Sequence, residues 1–333
     1  MPKFWKAAYS KKQTAKKTKW AIVALAVILC LIVIGRAVKL TESFFALDKK
    51  ISWNGQFNIN VIILAKGISL LSFSPKNEIL TLIDIPDTTY LEVAKGFGKW
   101  ELRSVHNLGG EKLIKDTLKD FFALPIDGFL NFSSEMSQKE PDDIVTEIRK
   151  NPVFMIFVLP SLKTDLSPFE LLRLKMGLSK VRFDKVKHIK LDKENVLAQE
   201  VLADGSQVLT ADPVKLDSIL VELIDPSIQS EHISIAVFNS TEKVGLAQKT
   251  ARLITNIGGD VIITANARDK FKETRVYGEN SKTLERLKQI FENACQDRKK
   301  SPDCDKIDSN LEELVSSRAK INIFLGEDYV QKL

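Results

Sequence analysis

The chain has 333 residues and a formal charge of +6, from 49 Lys and Arg against 43 Asp and Glu. Nine of the basic groups and no acid fall in the first forty residues, so the +6 becomes −3 over everything that follows. Basicity confined to one tail argues against a nucleic-acid partner and for anionic lipid headgroups beside that tail. Three histidines and three cysteines, with no CxxC or HExxH, argue against a His/Cys metal centre.

In chain order, residues 1–19 form a lysine-dense tail carrying Lys3, Lys6, Lys11, Lys12, Lys16, Lys17 and Lys19. Residues 20–34 hold no charge, and Arg36 and Lys39 can snorkel, which extends the apolar stretch to Leu40. At ~1.5 Å per residue a helix over 20–40 is roughly 31 Å long, one hydrocarbon core. The positive-inside rule places its N-terminus in the cytoplasm and the rest of the chain outside. No small-residue cleavage site follows, so the segment is expected to stay as an uncleaved single-pass anchor in the cell membrane, with residues 41–56 as a stalk.

Residues 58–65 and 68–73 read as strands. A Pro75-Lys76-Asn77-Glu78 turn leads into a third at 79–85. Gly109 and Gly110 open a helix whose Leu113, Ile114, Thr117, Leu118, Phe121 and Phe122 recur near 3.6 residues; Pro125 ends it. A strand at 128–132, a polar helical stretch over 133–150 and a buried strand at 153–159 follow. Ser167, Pro168 and Glu170 then make a capping-box helix start. This alternation predicts a layered α/β domain over 57–226. Past a polar hinge through Glu231, residues 227–333 read β-α-β-β-α-β, with strands at 233–238, 260–265, 275–277 and 320–325 and helices at 244–257 and 282–294. That order predicts a smaller split βαβ domain. A charged loop at 296–311 precedes the last strand; Cys295 just before it and Cys304 within it are a candidate disulfide in an oxidising compartment, with two free thiols as the alternative.

Ile233, Ala236-Val237-Phe238-Asn239-Ser240-Thr241 and Gly245-Leu246-Ala247, followed by a helix ending at Gly258-Gly259, resemble the LytR C-terminal domain, with Ser240 where that family has glycine. Upstream, Ser72-Phe73-Ser74-Pro75-Lys76-Asn77-Glu78, Ile85-Pro86, Thr89-Tyr90, Val105-His106-Asn107-Leu108-Gly109-Gly110 and Asp127-Gly128-Phe129 resemble, in order and spacing, a shortened and divergent LytR-CpsA-Psr domain. The resemblance implies transfer of a glycopolymer from a polyprenyl-pyrophosphate carrier to the cell wall, with magnesium. Two positions depart from it. Lys66 falls where the family has an aspartate, and Asp87 where it has an arginine in Ile-Pro-Arg-Asp-Thr; the arginine-rich segment ending Arg-Gln-Gln has no counterpart here. Both changes oppose the need of phosphoryl transfer for metal-binding carboxylates and anion-binding guanidinium groups.

Four residues are therefore candidate ligand contacts. Lys66 and Asp87 are expected to close the old diphosphate site as a reversed ion pair. Arg103 and His106 lie before the Gly109 helix start, where an anion can dock on free N–H groups. Ordinary surface charges are the alternative for all four. No catalytic residue, resident metal or cofactor is assigned. The expected function is a membrane-anchored cell-envelope protein that binds or scaffolds polyprenyl-linked glycans, cell-wall polymers or envelope proteins. The alternative is an active phosphotransferase using magnesium, which requires a deep apolar groove opening near Ser52 or Trp53 with basic residues in its lining. A transcriptional role finds no helix-turn-helix pattern to support it.

Overall fold

The computed structural model describes residues 27, 53–132, 134–151, 162–291 and 317–331. Apart from residue 27, the expected anchor over 20–40 lies outside the described residues, as do the strand at 153–159 and the Cys295–Cys304 pair. Among those described, no helix is long and apolar enough to cross a membrane. Residues from 49 onward form one compact unit.

Three β-rich runs build the centre: β1 (Ile59–Leu64), β2 (Ile68–Ser74) and β3 (Ile79–Ile85). They pair antiparallel in succession, Ile59 opposite Phe73 and Ile68 opposite Ile85. Adding β6 (Gly128–Phe132), β7 (Leu162–Thr164) and β8 (Val186–Lys190) gives a six-stranded sheet ordered β7-β6-β1-β2-β3-β8, with β6 parallel to β1 and β8 parallel to β3. Its central strands are apolar on both faces because both faces are covered. Helix α1 (Leu102–Phe122) packs Val105, Leu113, Ile114, Leu118 and Phe122 against Ile62, Leu64, Leu70 and Ile83. Helices α2 (Pro141–Lys150) and α3 (Pro168–Lys180) pack Ile144, Ile148, Leu171, Leu174 and Leu178 against Val61, Ile63, Leu71 and Leu82 on the other face. Ser167 caps α3 in the predicted capping box, its side chain accepting from Glu170 N while Glu170 accepts from Ser167 N.

Helix α1 begins earlier than the glycine pair suggested. Leu102 to Leu108 are already helical, and Gly109 and Gly110 (φ +66°) interrupt the helix rather than open it. The missed signal is Leu102, Val105 and Leu108, three apolar residues at helical spacing. A second sheet, also missed, joins β4 (Thr89–Val93), β5 (Gly98–Glu101), β9 (Leu197–Val201) and β10 (Gln207–Ala211) in the order β5-β4-β10-β9. The Asp204-Gly205 turn between β9 and β10, with Gly205 at φ +82°, is an ordinary hairpin cue.

The C-terminal half follows the predicted element order: β11 (Ser234–Asn239), α6 (Leu246–Asn256), β12 (Asp260–Asn266), β13 (Arg275–Gly278), α7 (Lys282–Phe291) and β14 (Ile321–Leu325). Between the halves lie α4 (Pro213–Leu220) and α5 (Pro226–Gln229), and α8 (Glu327–Val330) follows β14. The split is absent, which corrects the expectation. The sheet runs β12-β11-β14-β13, so β11 and β12, joined through α6, are direct parallel neighbours with no strand between them. The reason is burial. From their second residues on, β11 and β14 are wholly buried and take the centre, whereas β12 alternates exposed and half-buried positions and suits an edge.

The polar hinge is also replaced by a fixed junction. Asp225 caps α5 and accepts from Asn58 N at 2.6 Å, while Glu231 accepts from Thr283 N and Thr283 Oγ1 at 2.8 and 2.6 Å. Ile235, Val237, Leu253, Ile254, Leu287 and Ile323 belong to the same apolar cluster as α1. The two halves therefore share one core.

Candidate functional site

The carboxyl ends of the parallel strands β1 and β6, where open α/β sheets tend to bind ligands, meet the restart of α1 after Gly110. Glu111 opens that restart and is 8% exposed. Its carboxylate accepts from Asn131 Nδ2 at 2.8 Å and from Lys163 Nζ at 2.9 Å, with His106 Nε2 at 3.7 Å. Burial by itself would raise its pKa. Hydrogen bonds from Lys163, its own backbone N–H and Asn131, with the Lys163 charge, outweigh burial and bring it down to about 2. The anion seat expected beside His106 is thus filled by the chain's own carboxylate.

The Lys66–Asp87 pair does not form. Lys66, at the tip of the β1–β2 turn, donates to Glu140 at 2.8 Å, and its backbone N–H bonds to Lys139 O. The side-chain bond to Glu140, with that carboxylate's charge, holds the ammonium above the usual lysine range. Strand β2 lies between β1 and β3, so the two positions are separated by roughly 10 Å of sheet. Asp87 instead meets Arg103, whose backbone N–H donates to Asp87 O at 3.0 Å. Burial pushes the Asp87 carboxyl up, against the opposing pull of Arg103. Arg103 itself donates to Glu101 at 2.6 Å. Both Lys66 and Glu140 are more than half exposed, so Lys66→Ala is expected to leave the melting temperature of the full chain within about 1 °C of the parent by calorimetry.

The magnesium implied by the resemblance needs carboxylates that converge, and here they diverge into pairs. Glu111 goes to Lys163, Glu140 to Lys66 and Asp165 to Lys115, while Asp87 meets Arg103. Among the described residues no group of three or more His, Cys, Asp or Glu could hold a metal ion. The carboxylates named above, all among the described residues, do not converge on one point as that ion needs.

A groove of about 450 Å³ opens beside Trp53, over Phe73, with Arg173 and Lys180 in its lining. Phe169, Leu172 and Met176 stand on its wall, exposed, on the face of α3 away from the buried Leu171, Leu174 and Leu178. This groove lies at the Phe73–Pro75 end of β2. Lys66 and Asp87 lie at its Ile68 end, roughly 20 Å away along the seven-residue strand. A second space, between β6, β7, α2 and α3, is filled to about 10 Å³ by Leu130, Phe132, Ile148, Leu162, Leu171, Leu174 and Lys175.

In the C-terminal half, Asn239 closes the turn after β11, accepting from Thr241 N at 3.0 Å and donating to Lys243 O at 2.9 Å. Ser240, where glycine was expected, is buried and bonds Leu325 O through both its N–H and its hydroxyl. Gly245 then takes φ +77° to start α6. Residues 232–329 match the family described as LytR cell envelope-related transcriptional attenuator, LytR_C. Residues 232–329 thus carry the LytR_C pattern. No curated protein matches the chain significantly. Its structural neighbours are LytR-CpsA-Psr proteins. Bacillus subtilis TagT is 16% identical over 53% of this chain and 93% of its own, with TM-score 0.38. B. subtilis TagV is 12% identical over 50% and 96%, with TM-score 0.40. A LytR-CPS2A-psr family protein, YwtF (TagT), solved with octaprenyl pyrophosphate lipid, is 15% identical over 52% and 92%, with TM-score 0.38. Superpositions this loose leave the function to be read from this chain's own residues.

Proposed function

We propose that this is a single-pass envelope protein, N-terminus cytoplasmic, whose outer domains hold lipid-linked glycopolymers without transferring them. One observation carries the reading: Glu111 occupies the anion seat at the α1 restart, held there by Lys163, Asn131 and its own N–H. A diphosphate approaching that seat meets a fixed negative charge whose partners are already engaged, which disfavours binding and gives no purchase for catalysis. The departures at Lys66 and Asp87 support the same reading. The groove at Trp53 offers an apolar wall to a hydrocarbon chain and, beside Glu78, the cations Lys180 and Arg173, the latter also donating to Trp53 O, to a lipid phosphate.

The test has two arms on the full chain. With a polyprenyl-pyrophosphate-linked glycan and magnesium, no diphosphate cleavage is expected. Turnover that Arg103→Ala abolishes would establish the transferase instead. By titration against the same lipid-linked glycan, Leu172→Asp is expected to weaken binding about tenfold, because it places a charge on the apolar wall. Unchanged affinity would remove the groove from the proposal.

A further inference from the structure

We infer that the β4–β5 hairpin is a second contact with the lipid bilayer, seating Phe97 and Trp100 in its interfacial layer. The inference rests on the envelope location proposed above. Phe97 is 46% and Trp100 44% exposed, neighbouring aromatics on one edge hairpin. The loop is held in shape. Lys95, Gly96 and Gly98 have φ of +62°, +77° and +77°, Ala94 N donates to Thr117 Oγ1 at 3.1 Å, and Lys95 pairs with Asp116 at 2.9 Å. These contacts clamp the hairpin to the flank of α1 with its aromatics outward.

Two features choose among partners. Trp100 Nε1 donates to Phe97 O at 2.8 Å, so the indole's one donor is satisfied within the hairpin and the ring can leave water without stranding it. The surrounding charges balance: Lys95 with Asp116, Arg103 with Glu101, and Lys99 opposite Glu92 in the β4–β5 register. A polyanionic glycan or nucleic acid finds no net attraction there. The two rings together expose roughly 200 Å², far below the ~1,000 Å² that a specific protein interface needs. For a chain already tethered, that area suffices, because the bilayer is present at high effective concentration. Aromatic rings with flanking lysines suit the headgroup boundary.

The experiment reconstitutes the full chain into phosphatidylcholine nanodiscs with acyl chains brominated near the headgroup or near the chain end. Trp100→Phe, at a half-exposed site, keeps an aromatic ring; its fold is checked by circular dichroism. We expect it to remove about a quarter of the emission, one of four tryptophans, from the lipid-quenched part, more with shallow than with deep bromines. Trp20→Phe reports the anchor separately. Quenching at Trp20 with none at Trp100 overturns the hairpin contact and spares the anchor. Quenching at neither overturns both. Quenching at Trp100 alone keeps the contact and removes the anchor. A shift of Trp100 emission on adding a soluble glycan without lipid, with no bromine quenching, would assign the β4–β5 hairpin to sugars and overturn the inference.

Discussion

Arg286→Met is expected to destabilise the full chain by about 3 kcal/mol and lower its melting temperature by roughly 6–12 °C. Arg286 is on α7, yet it belongs to both halves. Its side chain is 6% exposed and donates to Asp127 at 3.2 Å and to Asn58 O at 3.3 Å, with the guanidinium over the Phe57 ring at 5.7 Å. Methionine keeps most of the apolar stem and removes the guanidinium, so the half-buried Asp127 carboxylate, which also accepts from Asn60 N at 2.9 Å, and Asn58 O both lose that partner. Asp127→Asn in the same chain should recover part of the loss, since a neutral amide no longer needs the cation. Because one core runs through both halves, unfolding should occur as a single transition in both variants. A melting temperature within 2 °C of the parent, or a separate early transition of the LytR_C domain, would contradict the shared core.

The sequence resolved the elements whose identity is local. The β1 to β3 runs, the Ser167 cap and the βαββαβ order of the C-terminal half follow from β-branched runs, capping chemistry and helical spacing, all of which act within a few residues. It missed what depends on neighbours far along the chain. β4 and β5 are short and amphipathic, and they become strands because β10, over a hundred residues later, pairs with Thr89 and Tyr90. The split βαβ expectation failed likewise: element order does not say which strand takes the centre, and the burial of β11 and β14 does.

At the site the pattern repeats. Lys66 and Asp87 were noticed because they reverse expected charges, but their partners were misassigned, since strand order and the approach of α2 decide what each can reach. Asp87 and Arg103 were singled out separately and do meet. Glu111 passed unnoticed as one more helix-surface acid. Only the break at Gly109 and Gly110 turns it inward beneath Lys163 and Asn131.

That carboxylate gives the second prediction. In the folded chain the Glu111 pKa stands at about 2, against 4.5 as the ordinary value expected when unfolded. A depressed folded pKa contributes stability that is complete above about pH 4.5 and is lost as pH falls through about 2. The shift corresponds to at most about 3 kcal/mol at neutral pH. Glu111→Gln should therefore lower the unfolding free energy by about 2–3 kcal/mol at pH 7 in urea titrations, with the gap to the parent closing as pH drops from 4.5 toward 2. Parallel profiles for the two proteins across that window would show that the carboxylate is not the stabilised group. The same substitution tests the functional reading from the other side. With the charge gone, Lys163 and His106 face an open helix start, so inorganic pyrophosphate should bind the variant at least tenfold more tightly than the parent. Unchanged binding would mean that the seat at the α1 restart is no anion site, whoever occupies it.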